Sequence, residues 1–207
     1  MQSHDLERIF THCYDTNSWG DQESVSGSGS TVKYTQNIRR VLPNLIHKLR
    51  VKSILDAPCG DYNWFKLIKW KTPITYLGGD IVATLIENNQ RLYHNKDTQF
   101  IQLDIVHDKL PSADLWLCRD CLFHLSNRDI MQTLDHFLNS HIKYLLTSTH
   151  PNCLKNTDIV TGSFRELNLR LPPYNFSEPI TTINDWIKGY PVRQLALWDR
   201  TTLKISA

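Results

Sequence analysis

Between Val51 and Ser148 the sequence repeatedly exchanges short, almost wholly apolar runs for stretches with helical spacing. The runs are Val51 to Asp56, Ile74 to Asp80, Phe100 to Asp104, Asp114 to Cys118 and Tyr144 to Ser148. Strands covered by helices on both faces read this way, because neither face meets water. The intervening segments Tyr62 to Ile68, Ala83 to Tyr93 and Asn127 to Asn139 set apolar residues three and four apart, as in Ile130, Leu134, Phe137 and Leu138. This rhythm points to an open, mostly parallel α/β sheet with helices on both faces. Ligands of such sheets bind outside the carboxyl ends of the strands. The residues that close each run are therefore where function is expected.

The flanks complete the outline. Residues 4 to about 14 suit a short helix with Leu6, Ile9, Phe10 and Cys13 on one side. Thr35 to Leu49 is a stronger helix, with Ile38, Val41, Leu42, Leu45, Ile46 and Leu49 in register and Pro43 as a point of kinking. Between them, Asn17 to Lys33 holds Trp19, Glu23 and the run Ser24-Val25-Ser26-Gly27-Ser28-Gly29-Ser30. It is either a flexible linker or a lid whose glycines let backbone N–H groups approach an anionic ligand. After His150 the rhythm breaks. Residues 151 to about 180 are polar and proline-punctuated, yet Leu167, Leu169, Leu171, Tyr174 and Phe176 argue for an ordered insertion. Thr182 to Gly189 reads as a short helix. Val192 to Trp198 and Thr201 to Ser206 read as a tight hairpin about Asp199-Arg200. The expected fold is a Rossmann-like open sheet of seven strands, five parallel plus a C-terminal antiparallel hairpin. Residues 1–34 form a helix and lid, and 35–207 one domain with a capping insertion at about 151–180.

Composition narrows the function classes. The 207 residues suit one domain, and a formal net charge of +2 is too small to argue for nucleic acid. No apolar run approaches the roughly 20 residues of a membrane span. The polar, charged start from Met1 to Phe10 lacks a secretory core, so the expected location is cytoplasmic. Five cysteines at scattered spacing do not make a disulfide framework. Cys118 and Cys121 form a C-x-x-C. Either it holds a metal with Cys153, His124 or His150, or Cys118 closes a buried strand and Cys121 lies in the next turn.

Five places at the strand ends carry candidate chemistry. Asp56-Ala57-Pro58-Cys59-Gly60-Asp61 is an acid followed by a tight turn, where the lack of a side chain at Gly60 lets the backbone approach a ligand. Asp80-Ile81 closes the second run, and an acid there accepts bonds from both hydroxyls of a ribose, or else caps the next helix. Asp104-Ile105 offers a carboxylate beside an apolar wall. Arg119, Asp120 and His124 follow the fourth run, and His150 the fifth. An imidazole with an orienting carboxylate can take a proton from a hydroxyl.

The order and spacing of these motifs from Thr35 to Ala207 resemble the class I S-adenosylmethionine-dependent methyltransferases. Ile54 to Gly60 is similar to that family's first motif, with Pro58 and Tyr62 at positions where glycines are usual. The resemblance implies a cofactor site of Trp19, Ser30, Asp56, Ala57, Pro58, Gly60, Asp80, Ile81, Asp104, Ile105 and Arg119. It also implies His124 and His150 as candidate catalytic bases or anchors, with Asp120 as orienter. The segments around Trp19 to Thr31 and Asn168 to Phe176 look like caps of small bacterial methyltransferases of glycan and capsule genes. That implies S-adenosylmethionine as cofactor and a small polar, sugar-type or phosphorylated acceptor, with neither a membrane nor nucleic acid as partner. For a phosphate or carboxylate acceptor, Arg119, Arg165 and Arg170 would matter most. The alternatives are an RNA or protein acceptor, a binding module without turnover, and a nicotinamide-dependent oxidoreductase.

Overall fold

The computed structural model describes residues 3–203. The chain opens with α1 (Ser3–Asp15) and α2 (Gln36–Leu49), and Pro43 lies inside α2. Then come β1 (Ser53–Asp56), β2 (Thr75–Asp80), α3 (Ala83–Tyr93), β3 (Thr98–Gln102) and β4 (Leu115–Cys118). They are followed by α4 (Asn127–Leu138), β5 (Tyr144–Thr149), β6 (Thr181–Asn184) and β7 (Gln194–Asp199). The sheet has seven strands in the order β3-β2-β1-β4-β5-β7-β6. β1 to β5 are parallel where they pair, and β7 runs antiparallel to both β5 and β6.

Alternation along the strands divides the core into two layers, as period-two side chains must. Leu55, Trp116, Leu145 and Trp198 face a layer with Ile130, Leu134 and Phe137 of α4, together with Leu167 and Tyr174 of the insertion. Ile54, Leu115, Leu117, Leu146 and Leu197 face the other layer, with Ile38, Leu42 and Ile46 of α2 and Leu85 and Ile86 of α3. α4 begins where the Ser126 hydroxyl accepts the Asp129 N–H. Cys118 closes β4 and Cys121 opens a short 3-10 turn.

The C-terminal hairpin holds, but its strands are not the expected ones. Thr181–Asn184, expected to start a helix, is the short edge strand β6. Its β-branched run turns only Ile183 inward, too brief a pattern to separate from a helical turn. Thr201 and Thr202 form a turn after β7 instead of a strand, and Lys204 to Ser206 lie outside the described residues. The segment Tyr62 to Ile68, a helix or helical turn by its spacing, is a 3-10 turn at Phe65–Leu67. Antiparallel β7 brings its first residue back to the edge where β1, β2, β4 and β5 end. The hairpin loop therefore joins the ligand-binding edge. Among the described residues no helix is long and apolar enough to cross a membrane.

Candidate functional site

A cavity of about 290 Å³ opens at that edge. It is near the lower end of the roughly 300–1,000 Å³ common for small-molecule sites. Its walls include Trp19, Ser30, Asp56, Pro58, Gly60, Asp80, Arg119, Asp120, His124 and His150. Four expected residues are not among them. Ala57 is fully buried; its carbonyl accepts the indole N–H of Trp116 at 2.9 Å. Ile105 packs into the core layer on the α4 side. Asp104 is held by the Val106 N–H at 2.9 Å and His107 Nδ1 at 2.7 Å. Ile81 packs partly buried against both layers. The floor contributed instead by Phe10, Tyr14, Val82 and Leu85 was not legible, because α1 had no assigned partner.

One end of the cavity is built on β1 and β2. Gly60 has φ +56°, the left-handed region that favours glycine, and a Cβ there would collide with the Ser26 hydroxyl. Its N–H donates to Asp80 Oδ2 at 3.1 Å, and the Val82 N–H donates to Oδ1 at 3.1 Å. The Ile81 N–H also bonds the carboxylate, so of its roughly four acceptor positions at least one stays open to a ligand. Burial pushes the Asp80 carboxyl up to about 6, against the pull of those N–H bonds. Burial also pushes Asp56 up to about 7, although it accepts the Tyr76 hydroxyl at 2.9 Å. Both carboxyls would be better ionised beside donors or a cation.

The serine- and glycine-rich segment is docked against the turn after β1 by side-chain and backbone hydrogen bonds. Asp61 accepts from the Ser24 hydroxyl at 2.8 Å and the Val25 N–H at 3.1 Å, and its own N–H donates to the Ser26 hydroxyl at 3.0 Å. Asn63 donates to the carboxylate of Glu23 at 2.8 Å. At Gly29 the lid presses on the far end of the cavity, where a Cβ would stand 2.8 Å from Asp120 Oδ2.

That far end is a buried network of two guanidiniums and two carboxylates. Arg119 donates to Asp185 through Nε at 3.0 Å and Nη2 at 2.9 Å, to the Gly29 carbonyl at 2.7 Å, and pairs with Asp120 at 3.1 Å. Arg193 pairs with Asp120 at 3.0 Å and Asp185 at 3.3 Å. Burial works to raise Asp120, and Arg119 and Arg193 together pull it below its usual range. Asp120 itself has φ 55°, a strained conformation of the sort found at functional sites. All three nitrogens of the Arg119 guanidinium are engaged within the cavity wall. Asp185 and Arg193 escaped sequence reading because the β6–β7 pairing creates their meeting; the Asp185 N–H donates to the Arg193 carbonyl at 3.0 Å.

The insertion sets the two histidines apart. His124 Nδ1 donates to the Ser163 carbonyl at 2.9 Å, so Nε2 keeps its lone pair. Burial pulls its pKa below the ordinary value. His150 does the reverse: its Nδ1 accepts the Leu167 N–H at 3.1 Å, so the proton sits on Nε2. Burial, then Arg193, push His150 down to about 4. His150 is therefore held as the neutral Nε2–H tautomer. Asp120 is not the orienter of His124 either, since Ser163 holds that ring while Asp120 faces Ser148, Arg119 and Arg193. Trp19, expected with the cofactor, lies beside His124 with ring centres 6.5 Å apart.

By sequence, no family model and no curated protein matches this chain. By structure it is similar to magnesium protoporphyrin IX methyltransferase from Synechocystis PCC 6803 with bound S-adenosylhomocysteine. That likeness has a TM-score of 0.60 at 14% identity, over 81% of this chain and 84% of that one. The methyltransferase domain of bacterial CtHen1 gives 0.57 at 15% identity, over 80% and 98%. Human N-acetylserotonin methyltransferase in complex with S-adenosylmethionine gives 0.56 at 13% identity, over 79% and 51%. The fold of this chain is that of the class I S-adenosylmethionine-dependent methyltransferases. At these identities the likeness is one of architecture.

Proposed function

We propose that the chain is an S-adenosylmethionine-dependent methyltransferase that methylates an oxygen of a small polar, sugar-type or phosphorylated acceptor. The observation that carries the cofactor reading is Asp80. It ends β2 at the cavity wall, is anchored by Gly60 and Val82, and keeps acceptor capacity for a ribose. Asp56 would face the cationic part of the cofactor, with the Gly60 turn beneath it. The cofactor, when bound, supplies an electrophilic methyl group on a sulfonium. The work of this chain is then alignment, which lowers barriers by about 7–11 kcal/mol in well-oriented reactions.

The oxygen preference rests on His124. Its Nε2 lone pair takes the proton of an acceptor hydroxyl, and the Ser163 carbonyl stabilises the imidazolium that forms. His150 Nε2–H donates to an acceptor oxygen, and Asp120 holds Arg193 in position. Residues 1–34 act as lid and about 151–180 as cap over the domain 35–207, excluding water from the reacting atoms. Calorimetric titration with S-adenosylhomocysteine tests the reading. Wild-type protein binds, and Asp80→Ala weakens binding by at least tenfold, since each charge-assisted bond is worth about 1.5–3 kcal/mol. No binding by the wild type, or a change within twofold in the variant, contradicts it.

A further inference from the structure

Among the described residues, three buried side-chain atoms lack a hydrogen-bond partner: Thr133 Oγ1, Arg165 Nε and Arg193 Nη2. Of these residues only Arg193 lines the cavity. Its Nε meets the Asp185 carbonyl at 3.2 Å and its Nη1 meets Asp120 at 3.0 Å, leaving Nη2 with two N–H groups unspent. A buried donor left unmade costs about 1–3 kcal/mol, and more when charged.

The surroundings indicate what is missing. Arg119, Arg193 and Arg165 are grouped around this end, against the carboxylates of Asp120 and Asp185. Arg165 is spent on neutral partners, the Leu125 carbonyl, Asn127 and the Tyr174 hydroxyl. The second donor is His150 Nε2–H, whose tautomer is set by the Leu167 N–H. Both groups border the ring of Phe123, with the His150 ring centre at 5.3 Å and Arg193 Cζ at 5.9 Å. Two donors on one cavity wall, one of them a charged and unpartnered guanidinium N–H, suit the oxygens of an anion.

We propose that Arg193 Nη2 and His150 Nε2–H form a subsite for an oxyanion, carboxylate or phosphate, carried by the acceptor beside the hydroxyl that His124 deprotonates. The word acceptor rests on the methyltransferase reading; the anion subsite itself does not. Of the arginines expected to serve such an acceptor, Arg119 is engaged, Arg165 does not line the cavity, and Arg170 is paired with Glu178 at the surface.

The test uses isotope-labelled full-length protein saturated with S-adenosylhomocysteine. Inorganic phosphate and, separately, acetate are titrated to tens of millimolar. The side-chain N–H signals of Arg193 and the imidazole signals of His150 are followed by NMR. Both shift saturably in one titration, and the tighter anion identifies the phosphate or carboxylate source. Arg193→Lys, which keeps the charge and loses the fork, weakens that anion about tenfold. His150→Phe, which leaves the ion network in place, weakens it several-fold. Silence of both signals, or a shift that neither variant alters, overturns the proposal. A response seen only without S-adenosylhomocysteine also overturns it, because the subsite would then belong to the cofactor. If calorimetry finds no S-adenosylhomocysteine binding while the anion response persists, the subsite stands and the methyltransferase reading falls.

Discussion

The two ends of the cavity are built by different means. At the β1–β2 end, the functional groups close adjacent parallel strands, and backbone N–H groups of Gly60 and Val82 hold them. At the other end Arg119, Asp120, His124, His150, Asp185 and Arg193 come from four separate stretches, and side chains hold one another. The first end is local in sequence and pinned by the sheet. The second exists only once the hairpin, lid and insertion have all docked. An altered residue at the first end should act on cofactor affinity and leave the docking of the hairpin intact. An altered residue at the second should act on catalysis and stability together.

The largest expected effect tests the catalytic half of that division. His124→Gln lowers kcat by about 10²- to 10⁴-fold, the usual worth of a positioned general base. Affinity for S-adenosylhomocysteine stays unchanged, which calorimetry checks beside a methyl-transfer assay. A loss of cofactor affinity of similar size would mean that the two ends are not separate.

Next comes the ion network. Asp185→Ala leaves two guanidiniums buried against Asp120 alone. Breaking such a buried pair costs about 3–5 kcal/mol, which denaturant unfolding measures. A loss under 1 kcal/mol would make the network incidental to docking of the hairpin.

The smallest effect belongs to the first end and is one of pH. Asp56 and Asp80 have carboxyls raised to about 7 and about 6 in the folded protein. Groups raised on folding contribute stability at low pH and lose it as pH rises through the folded value. Asp56→Asn therefore stabilises the ligand-free protein above a pH of about 7. It does so hardly at all at or below the ordinary carboxylate range, as thermal unfolding at the two pH values checks. Equal stabilisation at both would show that ionisation of Asp56 costs nothing.

The same division explains what was legible in the sequence. α3 spans Ala83–Tyr93 as its spacing predicts, and Asp56, Gly60 and Asp80 reach the cavity because a strand end fixes where its next residue points. Ala57 fails as a wall residue because it continues the buried strand, its N–H donating to the Leu117 carbonyl. Asp185 and Arg193 were invisible for a different reason. Their meeting depends on β6, a four-residue edge strand with one inward side chain. The roles of His124 and His150 were undecidable from spacing, because the insertion assigns their tautomers through Ser163 and Leu167.

A crystal structure of the protein grown with S-adenosylhomocysteine tests the central claim most directly. The account predicts the two ribose hydroxyls within hydrogen-bonding distance of the Asp80 carboxylate, and the sulfur turned toward His124 and Arg193. Ligand bound away from Asp80, or a sulfur facing away from those two side chains, would contradict it.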